Sequence, residues 1–253
     1  MHQFGLIGYP LKNSFSKDFF TNKFNELGLL GYNFRNFPLP DIELVRDMLV
    51  FHPTIEGFNV TIPYKQEILR FLNEIDVSAE GIDAVNCVKV LRNPETSDEY
   101  KLIGYNTDVY GFEQSLLNFV KDISKIKKAI VLGNGGAAMA IKYVLQKHEV
   151  EMITVTRQAT QDCICYDELS KEMIESSQLI VNCTPVGMFP NEKDILPFPF
   201  EFLNHAHYCY DLIYLPEETS FLRESKIRGA SIKNGLEMLY LQAEKSWEIW
   251  TCH

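Results

Sequence analysis

One short stretch constrains this chain more than any other: Lys128-Ala-Ile-Val-Leu132 runs straight into Gly133-Asn-Gly-Gly-Ala-Ala138. An apolar run of that length bounded by a turn signal reads as a buried strand, and Ala137–Lys147 has the pattern of a helix. The intervening G-x-G-x-x-A is the dinucleotide fingerprint. Gly133 permits the tight turn, Gly135 lets the backbone approach a pyrophosphate, and small Ala138 lets helix pack on strand. The helix start, with Gly136 and Ala137, offers N–H groups and a partial positive charge to phosphates. The same turn also serves as a plain strand-to-helix link; the strand–turn–helix context favours the ligand.

Around this unit the chain alternates short β-like runs with helical stretches. Phe4–Ile7, Tyr32–Phe37, Gly57–Thr61, Ala84–Leu91, Lys101–Tyr105, Met152–Thr156, Leu179–Cys183 and Tyr208–Leu212 read as strands. Helical spacing runs from Phe15 to Leu27 and over Ile42–Phe51, Val109–Val120 and Leu236–Trp250. Pro63 is expected in the first turn of a helix Tyr64–Leu72, where its missing N–H is harmless, and Arg92–Asp98 reads as a turn. Such alternation predicts an α/β protein with parallel sheets, cut near residue 106.

Composition narrows the functions open to it. The 253 residues are 46% hydrophobic and 23% charged, enough for a real core and unlike a disordered chain. Acids outnumber bases 34 to 24, a net charge of −10, so no nucleic-acid partner is expected. The six cysteines have no zinc spacing, so no metal is expected. With no signal-peptide pattern and no membrane span, a reduced, cytoplasmic, soluble protein is predicted.

Cofactor choice is read after the next strand, where an acid would bond the ribose of NAD and an arginine would accept the extra phosphate of NADP. Thr154-Val-Thr156-Arg157-Gln158 has no acid until Asp162, so NADP is favoured, with Thr156 and Arg157 as contacts. A solvated surface arginine is the ordinary alternative.

Five polar clusters place their polar residues at or beside the ends of β-like runs, except Gln242, which falls inside a helix: Gly8–Ser16, Gly57–Lys65, Ala84–Asn86, Gly104–Asp108 and Asn234–Gln242. Ligands of open α/β sheets bind beyond the carboxyl ends of strands, and a polyhydroxylated acid needs hydroxyl, amide and cationic partners of this kind. Taken singly each residue has an ordinary reading. Ser14, Ser16 and Asp108 would cap helices, Lys65 would be solvated, and Asn86 and Gln242 would be surface amides.

Their order along the chain resembles the shikimate dehydrogenase family. Gly8-Tyr-Pro-Leu-Lys-Asn-Ser-Phe-Ser-Lys17 is similar to G-x-P-x-x-H-S-x-S-P, and Asn59–Lys65 matches N-V-T-x-P-x-K. Asp83-Ala-Val-Asn-Cys87 resembles G-A-V-N-T, and Gly104–Gly111 carries G-x-N-T-D-x-x-G intact. Asn182–Met188, Asp211–Leu222 and Met238–Ala243 match N-x-T-P-x-G-M, D-x-x-Y-x-P-x-x-T-x-x-L and M-L-x-x-Q-A.

The resemblance implies NADP-dependent interconversion of 3-dehydroshikimate and shikimate, in the biosynthesis of chorismate and the aromatic amino acids. It implies an N-terminal α/β substrate domain, residues 1–106, completed by C-terminal helices returning over 232–253. A Rossmann domain would span 107–231, with substrate in the cleft. Ser14 and Ser16 would hold the substrate carboxylate, Thr61, Asn86 and Gln242 its hydroxyls and ring, and Lys65 and Asp108 would form the catalytic pair. Tyr214, counted with the substrate residues, and Gly235 would lie near the nicotinamide, with Thr184 and Met188 lining its pocket. The assembly expected is a monomer or homodimer.

Four departures stand out. Asn13 and Lys17 replace the family's His and Pro; Asp83 and Cys87 replace Gly and Thr; one arginine of two survives, at Arg157; and Glu237 stands where the family is often small. Two alternatives remain: a quinate/shikimate dehydrogenase with broader substrate or NAD use, and a non-catalytic sensor of shikimate-like ligands. Retention of Lys65 and Asp108 speaks against the sensor.

Overall fold

The computed structural model describes residues 1–11, 14–93 and 99–252, so Asn13 and most of the expected 92–98 turn lie outside the described residues. The chain forms two compact units, Met1–Thr107 with Gln242–His253, and Asp108–Leu241. The second division falls inside the last helix, ten residues beyond the expected 231 boundary.

The first unit is built on β1 (His2–Gly8), β2 (Tyr32–Pro38), β3 (Ile55–Val60), β4 (Glu74–Ile75), β5 (Cys87–Arg92) and β6 (Tyr100–Tyr105), in the order β2-β1-β3-β5-β6-β4. The sheet is mixed: β1, β2 and β3 are parallel, but β5 runs against both β3 and β6. The link from Arg92 to Tyr100 is too short for the crossover of a dozen or more residues that a parallel pair requires. Both faces are covered, so β1 buries Phe4, Leu6 and Ile7 without alternation. Ile7, Val45, Leu49, Phe58 and Ile68 pack on one face, on the side of α2 (Leu44–Phe51). On the other, Phe4, Phe20 and Phe34 meet Trp250 and Phe24 meets Trp247, which joins α1 (Phe15–Glu26) to the C-terminal helix.

The predicted helix Tyr64–Leu72 does not form. Val85 N–H takes the carbonyl of Lys65 at 2.8 Å and Leu69 N–H bonds Gln66 instead, leaving a 3₁₀ turn at Glu67–Phe71. Tyr64 is buried, with its hydroxyl 2.5 Å from the Leu39 carbonyl, which holds the preceding turn in place.

The second unit carries α3 (Thr107–Phe119), which starts at the division, then β7 (Lys128–Leu132), α4 (Gly136–Lys147), β8 (Glu151–Thr156) and β9 (Ile164–Cys165). There follow α5 (Lys171–Ser176), β10 (Leu179–Asn182), β11 (Tyr208–Asp211), α6 (Ser220–Ile227), β12 (Ser231–Lys233) and α7 (Leu236–Thr251). Its sheet is wholly parallel, ordered β12-β11-β10-β7-β8-β9. Strands β9 and β12 are too short to show a period, which is why the sequence reading passes over them. The expected C-terminal return to the first unit is made by α7, whose residues from Gln242 belong to that unit. Among the described residues no helix is long and apolar enough to cross a membrane.

Candidate functional site

In the second unit, β7 is flanked by β8 on one side and β10 on the other, so the strand order reverses there. Ligands of doubly wound sheets bind beyond the carboxyl ends of strands at such a point. Gly133 follows β7 with φ +101°, where a side chain would be strained, and its Cβ position lies 3.0 Å from Thr184 Cγ2. Gly135 caps α4, and a Cβ there would meet nothing within 4 Å, so the space over the helix start is open. The first N–H groups of α4 have no acceptor within the helix. This open, glycine-walled donor set fits a pyrophosphate and explains why the glycines stand where they do.

The loops after β10 and β11 form the other wall. Asn182 Oδ1 accepts from Thr184 N–H at 2.9 Å and from its hydroxyl at 2.7 Å. Asn182 Nδ2 donates to Asp211 Oδ1 at 3.0 Å, an oxygen that also accepts from Ile213 N–H at 3.0 Å. Thr219 donates to Asp211 Oδ2 at 2.6 Å. Asp211 is fully buried, and burial pushes its carboxyl up to about 6 even though these three hydrogen bonds pull the other way. Gly235 packs on this wall: a Cβ would sit 2.0 Å from the Leu212 carbonyl. Met188 is 45% exposed and Tyr214 36% exposed, both on these loops. At the end of β8, Thr156 donates to the Gln158 carbonyl at 2.6 Å and Arg157 is exposed.

In the first unit the carboxyl ends of β1, β3 and β6 and the start of β5 share one edge of the sheet. Thr61 and Lys65 follow β3, and Asn86 precedes β5, next to the Val85 N–H that bonds Lys65. Ser14 caps α1, accepting from Lys17 N–H at 3.2 Å while donating to Asn36 Oδ1 at 2.7 Å; Ser16 is the second residue of that helix. Asn86 is buried, and its amide engages Thr107: Oδ1 accepts the Thr107 N–H at 2.7 Å and Nδ2 donates to Thr107 Oγ1 at 3.0 Å. Asn86 thereby fixes the backbone from which Asp108, itself buried, begins the second unit. Gln242 is buried on α7, and its carbonyl accepts from Ser246 at 2.9 Å. Ser246 also accepts from Asn59 Nδ2 at 3.0 Å and faces Thr107 Oγ1 at 3.2 Å.

Residues 6–88 match the family profile described as the shikimate dehydrogenase substrate binding domain. A shikimate dehydrogenase (NADP(+)) of Desulforamulus reducens is 33% identical to this chain, over 98% of it and 89% of the relative. The chain belongs to the shikimate dehydrogenase family. Its fold is similar to that of a shikimate dehydrogenase crystallised in complex with NADP+, with a TM-score of 0.86 at 32% identity, covering 99% of this chain and 90% of that one. It is also similar to the shikimate 5-dehydrogenase of Thermus thermophilus in complex with NADP(H) and shikimate, with a TM-score of 0.82 at 28% identity, covering 99% and 94%.

Two departures from the shikimate dehydrogenase pattern acquire a physical account. Asp83 has φ +55°, a left-handed conformation that glycine adopts freely and aspartate tolerates. Glu237 pairs with Lys233 one turn back and accepts from Asn118 at 2.7 Å and Ser115 at 3.1 Å. Burial alone would raise its carboxyl, but these partners hold it below the ordinary glutamate range. Glu237 therefore fastens the first turn of α7 to α3.

The residues that the sequence reading leaves unassigned are Asn182, Asp211, Thr219, Thr107 and Ser246. The first four stand inside motifs quoted for their neighbours; for Asn182 and Asp211 a polar residue closing a buried apolar run was the available signal. Ser246 had only its place one helical turn beyond Gln242.

Proposed function

We propose that this chain catalyses the NADP-dependent, reversible reduction of 3-dehydroshikimate to shikimate, a step toward the aromatic amino acids. The observation that carries the proposal is the open glycine turn at the strand reversal, in a chain that is 33% identical over nearly its full length to a shikimate dehydrogenase (NADP(+)). We place the protein in the cytoplasm.

When bound, NADP would accept or supply the hydride. Gly133, Gly135, Gly136 and Ala137 would hold its pyrophosphate through backbone N–H groups, with Thr156 and Arg157 at the 2′-phosphate. Thr184, Met188 and Gly235 would line the nicotinamide end. Ser14 and Ser16 take the substrate carboxylate. Thr61, Asn86, Tyr214 and Gln242 fix its ring and hydroxyls, Asn86 with whatever capacity its bonds to Thr107 leave. As the carbonyl carbon is reduced, charge gathers on its oxygen, and the Lys65 ammonium stabilises it and delivers the proton. In the reverse direction Lys65 recovers that proton from the hydroxyl. Asp108 orients the lysine and a neighbouring substrate hydroxyl, lowering the entropic cost of alignment.

Initial rates of nicotinamide reduction with shikimate, run in parallel with NADP+ and NAD+ and then with quinate, test the reading. Turnover with shikimate and NADP+ alone is expected. Comparable rates with NAD+ or quinate would establish the broader enzyme, a reading favoured by the single surviving arginine. Binding of shikimate without turnover under any pairing would leave a sensor.

A further inference from the structure

We propose that Asp211 is a positioning residue whose buried carboxylate joins the two loops that carry Thr184, Met188 and Tyr214. The inference rests on the reading of this chain as an NADP-dependent enzyme. Asp211 and Asn182 are register partners at the carboxyl ends of β11 and β10. Through Asn182, Asp211 reaches both Thr184 N–H and the Thr184 hydroxyl, which in turn accepts from Val186 N–H at 3.3 Å. Through Ile213 N–H and Thr219 it closes the loop that holds Tyr214. The loops are stitched again farther out, where Phe189 N–H bonds the Leu215 carbonyl at 3.4 Å and Ser220 donates to the Glu192 carbonyl at 3.2 Å. Leu212 N–H bonds the Asn182 carbonyl at 3.0 Å, and Gly235 N–H bonds that of Ile213 at 3.1 Å.

Among the described residues Asp211 has no salt-bridge partner, and it is 0% exposed. A fully buried carboxylate held only by neutral donors is costly, so its retention calls for a role beyond packing. Its three donors all belong to the two loops or to the strand end that starts one of them. Thr184 also touches the Cβ position of Gly133, so the same set of bonds reaches the glycine turn. The carboxylate thereby sets the spacing of the nicotinamide wall without touching the cofactor.

The test compares binding of NADP+ with binding of adenosine 2′,5′-bisphosphate, which carries only the adenosine end, by titration calorimetry. Asp211→Ala is expected to weaken NADP+ binding and lower kcat about tenfold each, leaving the bisphosphate affinity within about twofold. Asp211→Asn keeps the acceptor oxygen for Asn182 and Ile213, while the Thr219 hydroxyl turns to accept; it is expected to restore both values to within about twofold of wild type. Thr219→Val, which cuts the bond to Asp211 and the cap bond that Thr219 accepts from Leu222 N–H, is expected to show the same split at about threefold and decides the matter if the alanine variant does not fold. Equal loss of both ligands, or no loss of either, overturns the proposal. Wild-type protein that binds neither ligand and lacks turnover overturns the underlying functional reading instead.

Discussion

Ser246 Oγ lies 3.2 Å from Thr107 Oγ1, so a residue of the C-terminal helix is tied to the residue that precedes Asp108. The same hydroxyl bonds the Gln242 carbonyl and receives Asn59 Nδ2. One buried serine thus holds the helix that bears Gln242 in register with the β3 and β5 ends. Ser246→Ala is expected to cost about 1–2 kcal/mol in urea unfolding, because buried partners lose a bond. In steady-state assays the shikimate KM should rise about threefold or more, with NADP+ affinity unchanged. An unchanged KM would reduce Ser246 to a packing role.

Asp83 sits at φ +55° on an exposed turn. Asp83→Gly relieves that conformation at the small entropic cost of a freer unfolded chain, and is expected to stabilise by about 0.5–1 kcal/mol. For a chain of this size that is a rise of about 1–4 °C in Tm by calorimetry. A fall in Tm would mean that the aspartate side chain contributes a contact outweighing the strain.

The buried Asp211 makes stability depend on pH in an unusual direction. Its folded-state carboxyl is pushed up to about 6, above the unfolded value, so the folded form binds more protons between about pH 4 and 6. Its contribution is therefore most favourable at low pH and is lost as pH rises through 6. Asp211→Asn removes that loss. Its stability relative to wild type should climb between pH 4 and 6 and level off above, by an amount on the order of 2 kcal/mol. Paired urea titrations across that range check the slope; a gap that shrinks with pH would contradict the sign.

Arg157 stands exposed just beyond β8, and in the proposed function it would meet the 2′-phosphate. Arg157→Ala is expected to raise the KM for NADP+ about tenfold and leave that for NAD+ within about twofold. Equal changes with both cofactors would move the arginine away from the phosphate.

Much of this was legible from the chain alone, where local pattern and tertiary context agree. Lys128–Leu132 reads as a strand and is one over those residues, because four consecutive apolar residues, Ala129 to Leu132, closed by glycine have few other ways to be buried. The Tyr64–Leu72 segment fails for the opposite reason: its outcome turns on the Lys65 carbonyl meeting Val85, a partner twenty residues away. Glu237 looked anomalous in sequence because its partners, Ser115 and Asn118, lie on a helix more than a hundred positions earlier. The antiparallel course of β5 was hidden by the same runs that reveal it as a strand, since alternation of elements carries no sign of direction.

Trp250 stacks on Phe4 with ring centroids 5.0 Å apart, donates to the Val88 carbonyl at 3.0 Å and covers Gly57, whose Cβ position lies 2.3 Å from its ring. On the ribosome this residue emerges only after all of Asp108–Leu241 has been made. The second unit is contiguous and has every strand in hand by then, whereas the first waits with one wall of its aromatic core missing. Order of synthesis and order of sequence therefore part company: the unit begun first is finished last. During that interval the Phe4, Phe20 and Phe34 side of its sheet is the surface a chaperone would find.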